Sequence, residues 1–354
     1  LIAIDLFSGA GGLNLGLERA GIKSVIANEI EENFSKTHSL NFPGCRMINK
    51  SIFEVDFRSE IGSLGLEGGI DLVAGGPPCQ GFSTVGKKDA SDPRNSLFVQ
   101  FLRAVEEVGP RFVLFENVAG FKRLYKGEMY RKTVGGLDAL GFDSVSAVLN
   151  AKNYGAPQSR ERTIILAWRR GERPLDMPSP THGTKDKPFL TLMDAISDLP
   201  QLHPGEERRD YLCDPENEYQ REMRASGCLL TEHRCSRYGE HIRKVMSHVP
   251  EGGSIMDVPE ELRPKGYFKN TYARLLPDQP CPTITRNFGT PSSSRCIHPW
   301  QNRALSTREG ARIQGFPDNY RFHGGKGSKN LQIGNAVPPA LALALGRQLT
   351  LSAT

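Results

Sequence analysis

Residues 1–30 read LIAIDLFSGAGGLNLGLERAGIKSVIANEI. Leu1–Phe7 is an apolar run of strand length. Leu13–Ala20 carries apolar residues at helical spacing and meets Gly21 as a stop signal, and Ser24–Ile30 is a second apolar run. Strand, glycine-rich loop, helix, strand is how an open, mostly parallel α/β sheet begins. Gly9, Gly11 and Gly12 allow backbone to approach a ligand at a helix N-terminus, where a nucleotide-like group sits in such sheets. A dinucleotide fingerprint would need glycine at 14, and that residue is Asn14, which disfavours NAD or FAD. Glu29 closes the second strand, where it can accept hydrogen bonds from ribose hydroxyls. An acid there would also suit a helix N-terminus. Loop and acid together point to an adenosine-bearing cofactor.

The alternation continues. Glu31–Phe42 reads as a helix broken by Pro43 and Gly44. Ile70–Ala74, Phe112–Phe115, Ser144–Leu149 and Thr163–Trp168 are strand candidates, and Ser96–Val108 and Tyr130–Leu140 are helix candidates. The pattern predicts a doubly wound, mostly parallel sheet. After Trp168 the chain becomes rich in Pro, Gly and charge, as a loop-rich second domain would be. At 331–349 order returns with an Ala/Leu-rich helix, apolar enough to pack into the first domain. The expected division is 1–171, 172–325 and 326–354.

The 354 residues, 38% hydrophobic and 24% charged, suit a globular protein with a full core. No 18-residue apolar run exists, so no membrane span is predicted, and no signal peptide is expected. Seven scattered cysteines do not form a disulfide framework and suit a reducing cytosol. The net charge of +5 says little, but residues 281–330 hold eight Lys/Arg against two Asp/Glu. That bias suits a polyanionic partner or, equally, a solvated surface.

Residues 75–83, GGPPCQGFS, follow a strand candidate. Two prolines stiffen the backbone before Cys79, and a lysine-bearing loop follows. A structural cysteine needs none of this, so Cys79 reads as a nucleophile ahead of the alternative, a buried core cysteine after a turn. Glu116 ends a buried strand candidate, where an acid taken alone is more often a helix cap, but where desolvation also suits a proton donor. Arg160 and Arg162 alternate on an extended segment and would share a face, either one that grips an anion or a carbonyl or an ordinary edge-strand charge pattern. Cys213, Cys228, Cys235, His233 and His241 lack zinc-ligand spacing, so no metal is predicted.

These motifs resemble those of the DNA cytosine-5 methyltransferases of bacterial type. The resemblance runs through residues 5–12, Asn28 and Glu29, 76–83, 116–118, 158–162, 308–317 (REGARIQGFP) and 332–338 (QIGNAVP), in the family's order. It implies a Rossmann-like, S-adenosylmethionine-dependent fold with a smaller, loop-rich target-recognition domain. Cys79 would attack cytosine C6 and activate C5, Glu116 would hold or protonate N3, Arg162 would contact the base carbonyl, and Arg160 would support it. The methyl donor would be S-adenosyl-L-methionine, leaving S-adenosyl-L-homocysteine. Its pocket would comprise Asp5, Phe7, Ser8, Gly9, Ala10, Gly11, Gly12, Leu13, Glu29, Ile30, Ser51, Ile52, Pro78, Leu97, Asn335 and Val337. Ser51 departs from the acid common in the family before Ile52, and Asp56 is a candidate substitute at the adenine.

The resemblance further implies that the target cytosine is flipped from double-stranded DNA. Residues 82–95 would close over the DNA with Ser83, Lys87, Lys88 and Arg94. Gln158, Thr283, Arg286 and Arg295, with Arg303 nearby, would contact it. The implied setting is a bacterial cytosol and a monomer on DNA, with or without a separately encoded restriction endonuclease. A tRNA cytosine methyltransferase would carry a Cys-Phe-Thr signature, which is missing, and a smaller second domain. A catalytically silent regulator would have lost Cys79, Glu116 or the glycine loop, and all three are present.

Overall fold

The computed structural model describes residues 1–78, 97–224, 227, 229–292 and 296–353. In chain order the first elements are β1 (Ile2–Leu6), α1 (Gly12–Arg19), β2 (Lys23–Asn28), α2 (Glu32–Asn41), β3 (Arg46–Ile48), α3 (Phe57–Gly62) and β4 (Leu72–Gly75). There follow α4 (Leu97–Val108), β5 (Phe112–Val118), α5 (Glu128–Ala139), β6 (Phe142–Asn150), β7 (Gln158–Ser159) and β8 (Glu161–Arg169). The remainder holds α6 (Leu192–Ile196), α7 (Glu218–Met223), α8 (Glu240–Ser247), β9 (Cys281–Pro282), α9 (Thr307–Gln314), α10 (Lys326–Asn335) and α11 (Pro339–Ala353).

The chain forms two compact units. One comprises Leu1–Ala151, Glu161–Pro180 and Pro339–Thr354, the other Lys152–Arg160 and Thr181–Pro338. In the first, seven strands form one sheet in the order β3-β2-β1-β4-β5-β8-β6. Every neighbouring pair is parallel except the two that involve β8, which runs against both β5 and β6. The buried parts of the strands are mostly apolar. Ile4, Leu6, Ile26, Val73, Val113, Phe115 and Ile165 share a core with Phe57, Phe101, Val105 and Phe142. Such near-continuous Val/Ile/Leu/Phe runs mark strands buried on both faces.

The apolar C-terminal helix α11 packs on α1. A Cβ on Gly16 would lie 2.4 Å from Ala342 Cβ and 2.4 Å from the Pro339 carbonyl oxygen, so glycine is what permits the close approach. The units differ from the expected division at the return point. Residues 326–338 belong to the second unit because α10 is held there. Gly334 lies so close to Thr285 and Arg286 that a Cβ would fall 2.5 Å from the Arg286 backbone nitrogen. The second unit also takes in 152–160, because β7 pairs with β9 in the register Gln158↔Cys281. No helix among the described residues is long and apolar enough to cross a membrane.

Candidate active site

Strand order reverses between β1 and β4, and a doubly wound sheet opens a crevice at the carboxyl ends of such strands. The 7–12 turn lies there. Phe7, Gly9 and Gly11 take left-handed φ values of 55°, 57° and 86°. For Phe7, which lacks glycine's freedom, this is a strained conformation of the kind found at functional turns. The Gly9 amide donates to Glu29 Oε2 at 2.9 Å, and the Glu31 amide donates to Oε1 at 2.9 Å. Glu29 is thus fixed by two backbone donors, and each oxygen keeps a lone pair for a further one. Burial raises its pKa.

Asp5 is fully buried at the end of β1, and neither carboxylate oxygen has a hydrogen-bond partner among the described residues. Burial, with the charge of Glu29 adding to it, pushes its pKa well above the usual range. Ser8 Oγ is likewise buried without a partner among the described residues. Buried polar atoms normally find partners, so these unsatisfied atoms, the open turn and Glu29 fit a polar, hydroxyl-bearing cofactor.

The other pocket candidates are spread more widely. Ala10 and Leu13 are buried, Pro78 and Leu97 are half-buried, and Ile30 is 64% exposed. Ser51 immediately precedes a short turn, Ile52–Glu54, with Ile52 buried. Asp56, the candidate substitute for an acid at 51, caps α3, its Oδ1 accepting from the Ser59 amide at 3.1 Å. Asn335 and Val337 belong to the second unit.

Two strands from β1, Glu116 and Arg162 meet across the antiparallel β5–β8 pair. Val118 faces Arg162 and Glu116 faces Ile164, so the two are diagonal neighbours. Arg162 Nε lies 2.8 Å from Glu116 Oε1, with side-chain exposures of only 13% and 11%. Gly76 makes room for this carboxylate: a Cβ there would lie 2.5 Å from Glu116 Oε2 and 3.2 Å from its carbonyl oxygen. Asn117 Nδ2 donates to the Pro77 carbonyl at 3.0 Å, which ties the Pro-Pro turn to β5. Cys79 follows that turn directly in sequence but lies outside the described residues, as do Ser83, Lys87, Lys88, Arg94 and Arg295.

Several expected contacts are corrected. Arg160 does not share a face with Arg162, because the extended segment breaks between β7 and β8. Arg160 is buried, donating from Nη1 to the Ile284 carbonyl at 3.0 Å and from Nη2 to the Gly334 carbonyl at 2.7 Å. It is a positioning residue inside the second unit. Gln158 is fully buried and donates to the Ile313 carbonyl at 3.1 Å and to Gln314, so it cannot reach DNA.

The basic bias of 281–330 is partly internal. Arg303 grips Glu309 with two bonds of 2.8 and 2.6 Å, Arg312 spans Asp198 and Asp318, and Arg308 is fully buried. Thr283 is exposed with its hydroxyl donating to the Ser159 carbonyl at 2.6 Å, and Arg286 is exposed. His233 engages Ser306 Oγ and the Pro200 carbonyl through its two ring nitrogens. The role of Asn117 as a tie had no signal beyond its place after Glu116.

A crevice of this kind, with a glycine turn and a buried acid at the ends of β1 and β2, suits an α/β enzyme that takes a nucleoside-bearing ligand. Over residues 1–351 the chain matches the C-5 cytosine-specific DNA methylases, and it belongs to that family. It is 37% identical to the Type II methyltransferase M.DdeI of Desulfomicrobium norvegicum, across 98% of this chain and 88% of the relative. It is 34% identical to the Type II methyltransferase M1.HphI of Haemophilus parahaemolyticus, across 98% and 85%. A DNA modification methyltransferase encoded within an E. coli prophage superposes with a TM-score of 0.82 at 27% identity, over 100% of this chain and 99% of that one. The Spodoptera frugiperda DNMT2 structure shares the fold at a TM-score of 0.62 and 17% identity, over 99% of each chain. The chain is therefore an S-adenosylmethionine-using DNA cytosine-5 methyltransferase.

Proposed function

We propose that Cys79 is the nucleophile of this methyltransferase and that Glu116 and Arg162 hold the target base before it. The observation that carries the reading is the Glu116–Arg162 ion pair, seated against Gly76 at the head of the Pro-Pro turn that leads to Cys79. Cytosine C5 is a poor nucleophile. Addition of the Cys79 thiolate to C6 makes the ring enamine-like, with electron density at C5. Glu116 at N3 draws electrons from C6 and promotes that addition, while Arg162 both aims the carboxylate and offers donors to the base carbonyl. S-adenosylmethionine supplies an electrophilic methyl group. Loss of the C5 proton then expels Cys79 and restores the aromatic ring. Asp5, Phe7, Ser8, Gly9, Gly11 and Glu29 would hold the cofactor.

A base inside a duplex cannot meet Cys79, so it must be extruded. The second unit, with Thr283 and Arg286, would read the surrounding sequence. The Type II names of the relatives support a place beside a separately encoded restriction endonuclease; a bacterial cytosol, a monomer on DNA and chemistry without a metal complete the proposal. The test is a duplex carrying 5-fluorocytosine at the target, where the fluorine cannot leave. Wild-type protein is expected to form a covalent adduct with it only when S-adenosylmethionine is present, and Cys79→Ser to form none while still binding the cofactor. Adduct formation by the serine variant would refute the assignment.

A further inference from the structure

Residues 263–270, RPKGYFKN, place two adjacent aromatics between two lysines, and the structure leaves both aromatics in solvent. Phe268 is 73% exposed and Tyr267 39%, and Lys265 and Lys269 are exposed on either side. Single exposed apolar residues are ordinary. Here the loop's ends are fixed, which a casually exposed loop would not need. Leu262 before it and Tyr272 after it pack into a small core with Val245, Met246, Ile255, Val258 and Ile297. Arg263 Nε donates to the Val258 carbonyl at 2.7 Å and its Nη2 to the Met256 carbonyl at 2.9 Å. At the far side, the Phe268 amide donates to Thr271 Oγ1 at 3.1 Å and the Thr271 amide to the Phe268 carbonyl at 2.9 Å. The tip is therefore an aromatic pair on a pinned base, so little ordering entropy remains to be lost on binding.

We propose that Phe268, supported by Tyr267, stacks on a base face exposed where the duplex is opened, with Lys265 and Lys269 on the flanking phosphates. The proposal rests on the second unit being the DNA reader. An aromatic face needs an apolar partner and the lysines need an anion, and an unstacked nucleotide offers both. The acidic Glu260 and Glu261 lie upstream on a separate turn, Glu260–Leu262, and would keep phosphate contacts to the lysine-bearing side of the tip. Only an opened step presents a free base face, which links this tip to base extrusion rather than to groove reading.

The test compares wild type with Phe268→Ala, Phe268→Trp and the double variant Lys265→Ala/Lys269→Ala. It uses cognate duplex and the same duplex with a mismatched target base, at several salt concentrations, with thermal melting of each protein. Phe268→Ala is expected to lose about tenfold to a hundredfold in affinity for the matched duplex. It should lose less on the mismatched one, which is already opened, and its salt slope should not change. Phe268→Trp should restore binding. The lysine pair should flatten the salt slope by about 1.8 units on all sequences alike. Affinity of Phe268→Ala within twofold of wild type, or an equal loss on matched and mismatched DNA, would overturn the proposal. Wild-type protein that methylates no DNA would instead sink the broader reading on which it rests.

Discussion

Gly76→Ala tests the geometry of the reacting groups with one methyl group. The new Cβ would sit 2.5 Å from Glu116 Oε2, where ordinary contact begins near 3.4 Å. The carboxylate must therefore retreat by roughly 1 Å. It cannot simply rotate away, because its other oxygen is held 2.8 Å from Arg162 Nε in a nearly buried pair. A displacement of about 1 Å in a catalytic group costs on the order of 10²-fold in rate, or about 2.7 kcal/mol in the barrier. Gly76 lies outside the left-handed region, so alanine adds no backbone strain there. Single-turnover methyl transfer on a saturating cognate duplex should fall by about two orders of magnitude, with cofactor affinity and melting temperature nearly unchanged. Gly75→Ala is the contrasting control. Its Cβ would meet the Leu6 carbonyl oxygen at 2.4 Å, which forces β1 and β4 apart and should lower the melting temperature. A Gly76→Ala rate within threefold of wild type would show that Glu116 is not held where the chemistry needs it.

Two further outcomes follow from buried charge. Because the folded-state pKa of Asp5 is raised, the cofactor-free protein should be most stable below the unfolded value of about 3.9 as far as this group is concerned. It should lose that increment as pH rises towards the folded value, and Asp5→Asn should flatten the dependence while weakening cofactor binding. Melting curves between pH 5 and 8 check this, and an unchanged pH slope in the asparagine variant would contradict it. Arg312→Leu removes the cation shared by Asp198 and Asp318 but leaves Arg224 on Asp198 and Arg308 and Tyr211 on Asp318, so a loss of about 3 kcal/mol, the low end for a broken buried pair, is expected by denaturant unfolding. A loss under 1 kcal/mol would mean the network relaxes around the gap.

The first unit was legible because its signals are local. Gly9, Gly11 and Glu29 lie within one strand–helix–strand stretch, and the strand runs before Gly75 and Glu116 are apolar on both faces. What misled was charge whose partners lie far along the chain. Gln158 and Arg160 look like surface polar residues in a row of charges, yet their acceptors come from Ile313, Ile284 and Gly334. Arg303 and Arg312 add to a basic count that reads as a DNA-facing stripe, but they neutralise Glu309, Asp198 and Asp318 in the interior. Composition records the sign of a charge and not its depth. Contacts also decide which unit α10 joins: Gly334 approaches Thr285 and Arg286, residues more than forty positions earlier in the chain.

The two-residue ladder between β7 and β9 bears on how target specificity could be exchanged between relatives. The chain passes between the two units at four points, and residues 152–160 enter the second unit well before its main body begins at Thr181. A cassette cut at Thr181 and Pro338 would import a foreign β9 while leaving the host's Gln158 and Ser159 as its hydrogen-bonding mates. It would also leave Arg160 to find new carbonyls at the grafted counterparts of Ile284 and Gly334. A chimera that carries 152–160 together with its cassette keeps these seams native, so recombination within this family should favour junctions that move the two segments as one inheritable block.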